Sequence, residues 1–256
     1  MSTHRFEDER FLRGTGRYVA DINLENQLYA KIVRSVHGHA NIINVDISEA
    51  LMIEGVCGVY IEEDLAKDGV GSLPCTTKFS AEQPLVLAER FALARKKVRH
   101  VGDPIALVIA ETEMAAQEGA ELVLVDYEAL PVVVNPVHAP LDGSPVIWST
   151  ALNNIAYRFK KGEQKKTLVA FDQAAHIVDL DIENNRVMAL PIEPRAGIGE
   201  YDEQNDIMRL TCTAQGVHAI REQLAHSVFS LDEERIQVSA PDVGGGFGLK
   251  NFLFPE

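Results

Sequence analysis

The sequence of 256 residues predicts an α+β fold in two regions that are joined by a linker. Short runs of apolar and β-branched residues recur along the chain, and only a few stretches have the spacing of an amphipathic helix. Four prolines and little periodicity between residues 130 and 148 indicate the linker. We therefore expect domains at 1–132 and 149–256, with the linker at 133–148.

The first region opens with residues 5–21, where charged side chains alternate with aromatic ones, and this pattern predicts an extended arm laid over another surface. Two helices are predicted, one at 48–53 with Ser48 as its cap and one at 113–123. The run 105–110 is wholly apolar, so we expect a strand buried on both faces of a compact mixed sheet. The remaining strands are predicted at 28–36, 42–47, 56–61, 84–87 and 123–127, and the rest of 62–93 is predicted as loop.

The second region is predicted to begin with a helix at 167–175. The next residues, 176–183, alternate apolar and acidic side chains and predict a strand. A helix at 217–226 carries Ile220 and Leu224 on one face, and Gln215 precedes its first turn, at the positive end of the helix dipole. The other extended segments are predicted at 187–194, 199–202, 207–213 and 235–239.

A glycine cluster, Asp242-Val-Gly-Gly-Gly-Phe-Gly-Leu-Lys250, follows the last predicted strand. Its four glycines let the backbone adopt positive φ and approach a ligand closely while the N–H groups stay free to donate. The spacing excludes a Walker loop and the dinucleotide fingerprint, since both need glycine where Leu249 stands. A tight turn after a strand explains the same glycines, so the sequence alone leaves turn and ligand loop both open.

Charge and composition narrow the function classes. A formal charge of −14 argues against nucleic acid as a partner, because it repels a phosphate backbone. The apolar runs are far shorter than the roughly 20 residues that span a bilayer. Cys57, Cys75 and Cys212 are isolated, which indicates a reducing, cytoplasmic setting and neither a disulfide framework nor a zinc or iron–sulfur site. His37 and His39 are interpreted as packing residues and not as metal ligands.

Six stretches, in order, make the chain resemble the large, molybdenum-cofactor-carrying subunit of the xanthine dehydrogenase, aldehyde oxidase and aerobic carbon monoxide dehydrogenase family. Each stretch is short, and their number and order make the resemblance specific over nearly the whole chain. They are 5–22, Val33-Arg-Ser-Val-His-Gly-His-Ala40, 100–131, Asn184-Asn-Arg-Val-Met-Ala-Leu-Pro-Ile-Glu-Pro-Arg195, Thr213-Ala-Gln-Gly-Val-His218 and Asp242-Val-Gly-Gly-Gly-Phe-Gly248.

The resemblance implies an α/β hammerhead domain followed by the first part of a molybdopterin-binding domain. By the same resemblance, Gln215 lies beside an oxygen ligand of molybdenum, Gly245 and Gly246 offer backbone N–H groups, Phe247 packs near the metal centre, and Gly248 completes the loop that holds the cofactor. These are cofactor-binding roles, and no residue of this chain is predicted to be catalytic or to ligate the metal. For Glu193-Pro-Arg195 a structural turn and a cofactor contact both remain open.

The resemblance covers only about the first third of the family's large subunit, and the glutamate that acts as its general base lies outside the matching part. We therefore expect a chain that contributes part of a molybdopterin pocket, is inactive alone and does not retain the cofactor alone. Asn251 stands where purine-oxidising members often have glutamate, which favours the aldehyde oxidase or carbon monoxide dehydrogenase branch. Exposed apolar side chains are expected at Phe252, Leu253 and Phe254.

The family's reaction inserts a water-derived oxygen into a substrate C–H bond. The resemblance implies as partners the remaining part of the large subunit, an iron–sulfur small subunit and an FAD-containing medium subunit, in an oligomer. It implies molybdopterin as the cofactor, with the cytosine dinucleotide as a candidate form. The alternative hypothesis is a non-catalytic hammerhead-type interaction module that pairs with another polypeptide, in which the glycine cluster is only a surface turn.

Overall fold

The computed structural model describes residues 5–75 and 85–256, and its mixed helix and strand content confirms the α+β class. The strands are β1 (Tyr29–Arg34), β2 (Ala40–Asp46), β3 (Val56–Ile61), β4 (Lys97–Val98), β5 (Pro104–Ala110), β6 (Leu124–Ala129), β7 (Gly197–Asp202), β8 (Ile207–Cys212) and β9 (Ile236–Ser239). The α-helices are α1 (Asp8–Leu12), α2 (Glu62–Lys67), α3 (Glu113–Glu121), α4 (Gln164–Asp172) and α5 (Val217–Gln223).

The first region contains two three-stranded sheets in the orders β1-β5-β3 and β4-β2-β6. All of their pairings are antiparallel, so the expectation of a single mixed sheet is wrong. Strand β5 is the centre of the first sheet, and five of its seven residues are buried. Ala106, Val108 and Ala110 on one face are buried, and on the other face Ile105 is buried while Leu107 and Ile109 are half-buried, so the prediction of burial on both faces is confirmed only in part.

The two sheets share one core. Ile105 of β5 packs with Ala40 of β2 and Val98 of β4, and all three are almost completely excluded from solvent. Helix α3 packs closely on the first sheet because Gly119 has no side chain: a Cβ there would lie 3.0 Å from methyl groups of Val108 and Val56.

The second region contains a sheet of order β7-β8-β9, in which β8 and β9 are parallel and α5 is the crossover between them. Ile220 and Leu224 pack against Cys212 and Ala214, which confirms the apolar face predicted for this helix. The helix continues as a π-helix over Leu224–Phe229. The crossover brings the start of α5 and the end of β9 to the same edge of the sheet, and both candidate site segments are attached there.

Three predictions in the first region are wrong. The expected helix at Ser48 is only a 3₁₀ turn (Ala50–Met52), because the Ser48 hydroxyl donates to Asp46 and does not cap the turn. Helix α2 lies where loop was predicted, since its charged residues give no apolar periodicity. The arm is not extended throughout, because α1 forms within it.

Three predicted strands are not found, and one of them is 187–194, which lies in no helix or sheet. Pro84 lies outside the described residues, and 85–87 form no strand. Residues 176–183 also form none, although their alternation of apolar and acidic side chains is that of a strand. Helix α4 is confirmed, three residues earlier than predicted. Within the described ranges, no helix has the length and apolar character that crossing a bilayer requires.

Candidate functional site

The glycine cluster forms an irregular loop after β9, and its backbone needs glycine at particular places. Gly245 has φ of 97° and Gly248 has φ of 83°, a region that residues with a Cβ rarely adopt. Phe247 also has positive φ, 48°, which is uncommon for a bulky residue and indicates local strain. Its ring is 77% exposed and covers Gly245, where a Cβ would lie 2.7 Å from the ring.

Gln215 is joined to this loop by two hydrogen bonds. Its side-chain Oε1 accepts from the Gly248 N–H at 3.0 Å, and its own backbone N–H donates to the Lys250 carbonyl at 2.9 Å. A Cβ on Gly246 would lie 2.3 Å from Gln215 Cδ, so glycine at this position is what lets the side chain approach. The structure therefore brings together Gln215 and the loop residues, which are far apart in sequence.

The loop is held from behind by a buried ion pair. Lys250 is 1% exposed, and its Nζ donates to Glu193 Oε2 at 3.0 Å. The same oxygen accepts from the Gly244 N–H at 2.6 Å. A Cβ on Gly244 would lie 2.6 Å from Glu193 Cβ, so the loop and the Glu193 turn are in close contact. Because a buried ammonium group is costly without a partner, Glu193 fixes where Lys250 and the loop lie.

The N-terminal arm holds the other end of the loop. Arg10 makes a bidentate ion pair with the Asp242 carboxylate, and the Arg17 N–H donates to Asp242 Oδ2 at 2.7 Å. The Asp242 N–H donates in return to the Arg17 carbonyl at 3.0 Å. The arm therefore does lie over another surface, as predicted, and that surface includes the start of the glycine loop. Hydrogen bonds from Arg10 and then from Arg17 hold the pKa of Asp242 below its usual value.

The loop leaves several donors available. Among the described residues, no acceptor is within hydrogen-bonding range of the backbone N–H groups of Gly245, Gly246 and Phe247, or of Gln215 Nε2. The Gly248 N–H holds the Oε1 atom of Gln215 by a hydrogen bond, so the orientation of the Nε2 group on the same side-chain amide is fixed as well. Donors on a Cβ-poor loop suit an oxygen-rich, phosphate-bearing cofactor such as molybdopterin, so the residues present fit the group that the resemblance implies.

The turn at Glu193-Pro-Arg195 makes structural contacts on both sides. Glu193 supports the loop, while the Arg195 guanidinium covers the Phe254 ring at 3.7 Å from its centroid. Leu253 packs in the cluster around Ile220. The expectation of an exposed apolar edge at the end of the chain is therefore wrong for these two side chains and holds only for Phe252, which is 53% exposed.

His37 and His39 contact other residues of the first region. His39 is buried, and its Nδ1 is 2.8 Å from the Pro131 carbonyl. The His37 ring packs on Tyr127. Across residues 5–75 and 85–256, no group of three or more histidine, cysteine, aspartate or glutamate side chains is arranged to hold a metal ion.

A cleft of about 790 Å³ lies elsewhere, beside the linker. It is lined by Arg90, Arg95 and Arg99 with Phe91 and Trp148, and none of the loop residues reaches it. The guanidinium group of Arg95 lies over the Phe91 ring, and that of Arg99 lies over the Trp148 ring. These two basic side chains are therefore partly covered by aromatic rings and do not simply face solvent. A cleft alone does not define a site, and no residue of the glycine loop lines this one.

Sequence reasoning missed two residues that organise the site. The sequence marks Lys250 only as the end of the glycine cluster, and it leaves Glu193 open between a structural turn and a cofactor contact. Their pairing has no local signal, because 57 residues separate them. Lys250 itself was an available clue. A lysine that directly follows a glycine cluster and lies in the core needs an acidic partner, because charged side chains are almost never fully buried unless they are paired.

The fold and the loop are thus those expected of a region that holds a polar cofactor. Comparison with known proteins shows which family this region belongs to. The family description "Aldehyde oxidase and xanthine dehydrogenase, a/b hammerhead domain" matches residues 13–131. The description "Molybdopterin cofactor-binding domain" matches residues 147–256. The chain belongs to the family of xanthine dehydrogenase, aldehyde oxidase and aerobic carbon monoxide dehydrogenase large subunits, and it carries the hammerhead fold and part of the cofactor-binding fold.

Individual relatives agree with this assignment. The chain is 35% identical to the nicotine 6-hydroxylase large subunit of Paenarthrobacter nicotinovorans, over 98% of this chain and 30% of that protein. It is 31% identical to the carbon monoxide dehydrogenase large chain of Afipia carboxidovorans, over 96% of this chain and 31% of that protein. The crystal structure of quinoline 2-oxidoreductase from Pseudomonas putida 86 matches with a TM-score of 0.89 and 31% identity, over 100% of this chain and 32% of that one. The chain thus spans about a third of the length of these relatives.

The buried ion pair gives a stability prediction. Lys250→Met leaves the Glu193 carboxylate buried without its cation, so we expect the free energy of unfolding to fall by about 3–5 kcal/mol. The double variant Lys250→Met/Glu193→Gln removes both charges and should lose clearly less. Lys67→Met, which removes an exposed partner of Asp64, should cost under about 1 kcal/mol. Urea unfolding of the four proteins measures this, and equal small losses for both lysine variants would contradict a buried, paired Lys250.

The arm contact gives a prediction on pH. Since the pKa of Asp242 is lowered in the folded chain, its contribution is present above the unfolded pKa of about 3.9 and is lost as pH falls through the folded value. Hydrogen exchange at the Arg17 amide, corrected for its intrinsic rate, should therefore stay slow from neutral pH to about pH 4 and accelerate below it. Arg10→Ala should accelerate it at neutral pH. Arg13→Ala, which breaks only the exposed pair with Glu9, should not. Loss of protection already between pH 5 and 7 would be evidence against the contact.

Proposed function

We propose that this chain forms one wall of the molybdenum-cofactor pocket in the large subunit of a molybdenum hydroxylase. The observation that carries the proposal is the meeting of Gln215 with the glycine loop, which leaves the Gly245 and Gly246 amides and Gln215 Nε2 without acceptors among the described residues. Family membership supplies the cofactor class that such donors suit.

Each residue has a distinct role in this proposal. Gln215 orients its Nε2 group on an oxygen ligand of the metal, because its Oε1 is already fixed by Gly248. The amides of Gly245 and Gly246 donate to the cofactor, and Phe247 packs beside it and excludes water. The molybdenum cofactor, when bound, supplies the oxygen-transfer and electron-transfer chemistry. This chain holds and orients it and contributes no general base, so we expect no turnover by the chain alone.

The proposal extends to the assembly. We propose domains at 1–132 and 149–256 around a linker at 133–148, the cytosine dinucleotide as the cofactor form, and retention of the cofactor only in the complete assembly. The partners are the remaining part of the large subunit, an iron–sulfur subunit and an FAD subunit. Free thiols at all three cysteines fit a cytoplasmic location. Two of the relatives are named for nicotine and for carbon monoxide, so the proposal stops at the reaction class.

The test is to purify the chain alone and with the polypeptide encoded directly after Glu256, and to assay molybdenum and pterin in each. We expect both only in the co-purified complex. Gly246→Ala should lower molybdenum content by about 10- to 100-fold, because the new methyl group displaces Gln215 from its place beside the metal ligands. Gly199→Ala, whose methyl group meets nothing within 4 Å, is the matched control.

A tight complex without molybdenum or pterin would contradict the proposal. It would support instead the hypothesis of a non-catalytic interaction module.

A further inference from the structure

The segment 176–192 has the sequence of a strand but no strand beside it. Its backbone forms no hydrogen bond with any other described residue, and it belongs to no helix or sheet. Exposed backbone donors and acceptors bond to water, and a neighbouring strand can replace that water where apolar side chains are covered at the same time. A strand pattern with no neighbour therefore points to a partner from outside this chain.

The apolar side chains of the segment are also uncovered. Val178, Leu180 and Ile182 are 90%, 78% and 78% exposed, and alternate spacing would put all three on one face of a strand.

The opposite face of the segment is acidic, and its charge restricts which strand can pair with it. Asp179, Asp181 and Glu183 alternate with the apolar residues. Pairing with a second copy would place like charges opposite one another between two chains that each carry −14. A strand with apolar residues on one face and lysine or arginine on the other is complementary.

We propose that residues 176–183 become a β-strand by adding to a strand from the part of the large subunit that this chain does not span. The inference rests on the proposed function for the identity of that partner. The segment lies inside the match to the cofactor-binding domain, while the chain covers only about 30% of its relatives' length, so most of the polypeptide able to supply the strand lies outside it. Strand addition satisfies the backbone groups and covers the apolar face together.

This docking would act on the cofactor loop. The segment runs directly into Glu193, which holds Lys250 and Gly244. Pro191, just before it, packs on Gly245, where a Cβ would lie 3.2 Å from the Pro191 side chain. Residue 183 lies ten positions before Glu193, so a partner strand at 176–183 restrains the chain that leads to the support of the loop and couples assembly to cofactor binding.

The test uses the chain and, as a separate polypeptide, the region encoded directly after Glu256. Hydrogen exchange should slow at the amides of 177–183 when the two are mixed. Val178→Thr/Leu180→Thr/Ile182→Thr should weaken the complex at least about tenfold, since three apolar contacts are lost while β-propensity is kept. Asp179→Lys/Asp181→Lys/Glu183→Lys should weaken it similarly. Val134→Thr/Val137→Thr/Leu141→Thr, at exposed positions between 133 and 148, is the matched control.

The outcomes separate the inference from the proposed function. The altered side chains are exposed in the chain alone, so thermal unfolding of each variant alone should change little. A complex of unaltered affinity with fast exchange at 177–183 overturns the inference, and so does self-association or the absence of a complex. Molybdenum content of the complex is read separately: a segment-dependent complex without the metal supports this inference and counts against the proposed function.

Discussion

The buried ion pair between Lys250 and Glu193 is the interaction on which the rest of the candidate site depends. Lys250 follows a loop of glycines that could otherwise take many conformations, and its ammonium group is removed from water. One carboxylate oxygen of Glu193 receives both this ammonium group and the Gly244 amide. A flexible loop is thereby fixed at one end to a turn, and at its other end Asp242 is fixed to the arm.

The function proposed for the chain follows from the hydrogen-bond donors that remain free once the loop is held in place. Gln215 uses its carbonyl oxygen and its backbone amide on the loop, so its side-chain amide group remains as a directed donor. Glycine at 246 is needed for that approach. The preorganised donors suit a polar cofactor, because binding then costs little rearrangement. The arm, the turn and the crossover helix come from distant parts of the sequence, and the loop is where they meet.

Much of the fold was predictable because its signals are local. Strand β3 has the predicted bounds, and β5 is buried as its unbroken apolar run indicates. An alternating sequence pattern does not show whether a neighbouring strand is present. Residues 176–183 were therefore predicted as a strand, but they form none in this chain. Ser48 failed as a cap because Asp46 takes its hydroxyl. The cofactor-binding role of Gln215 came from the family resemblance. The pairing of Glu193 with Lys250 could not be predicted, because it depends on tertiary structure.

The most direct measurement is anomalous diffraction at the molybdenum edge from crystals of the loaded assembly. We expect the metal peak on the face of the loop that carries the Gly245 and Gly246 amides. We also expect Gln215 Nε2 at about 3 Å from an oxygen ligand of the metal. A metal peak on the opposite face of the loop, beside the contact between Arg10 and Asp242, or in another part of the assembly, would contradict this account.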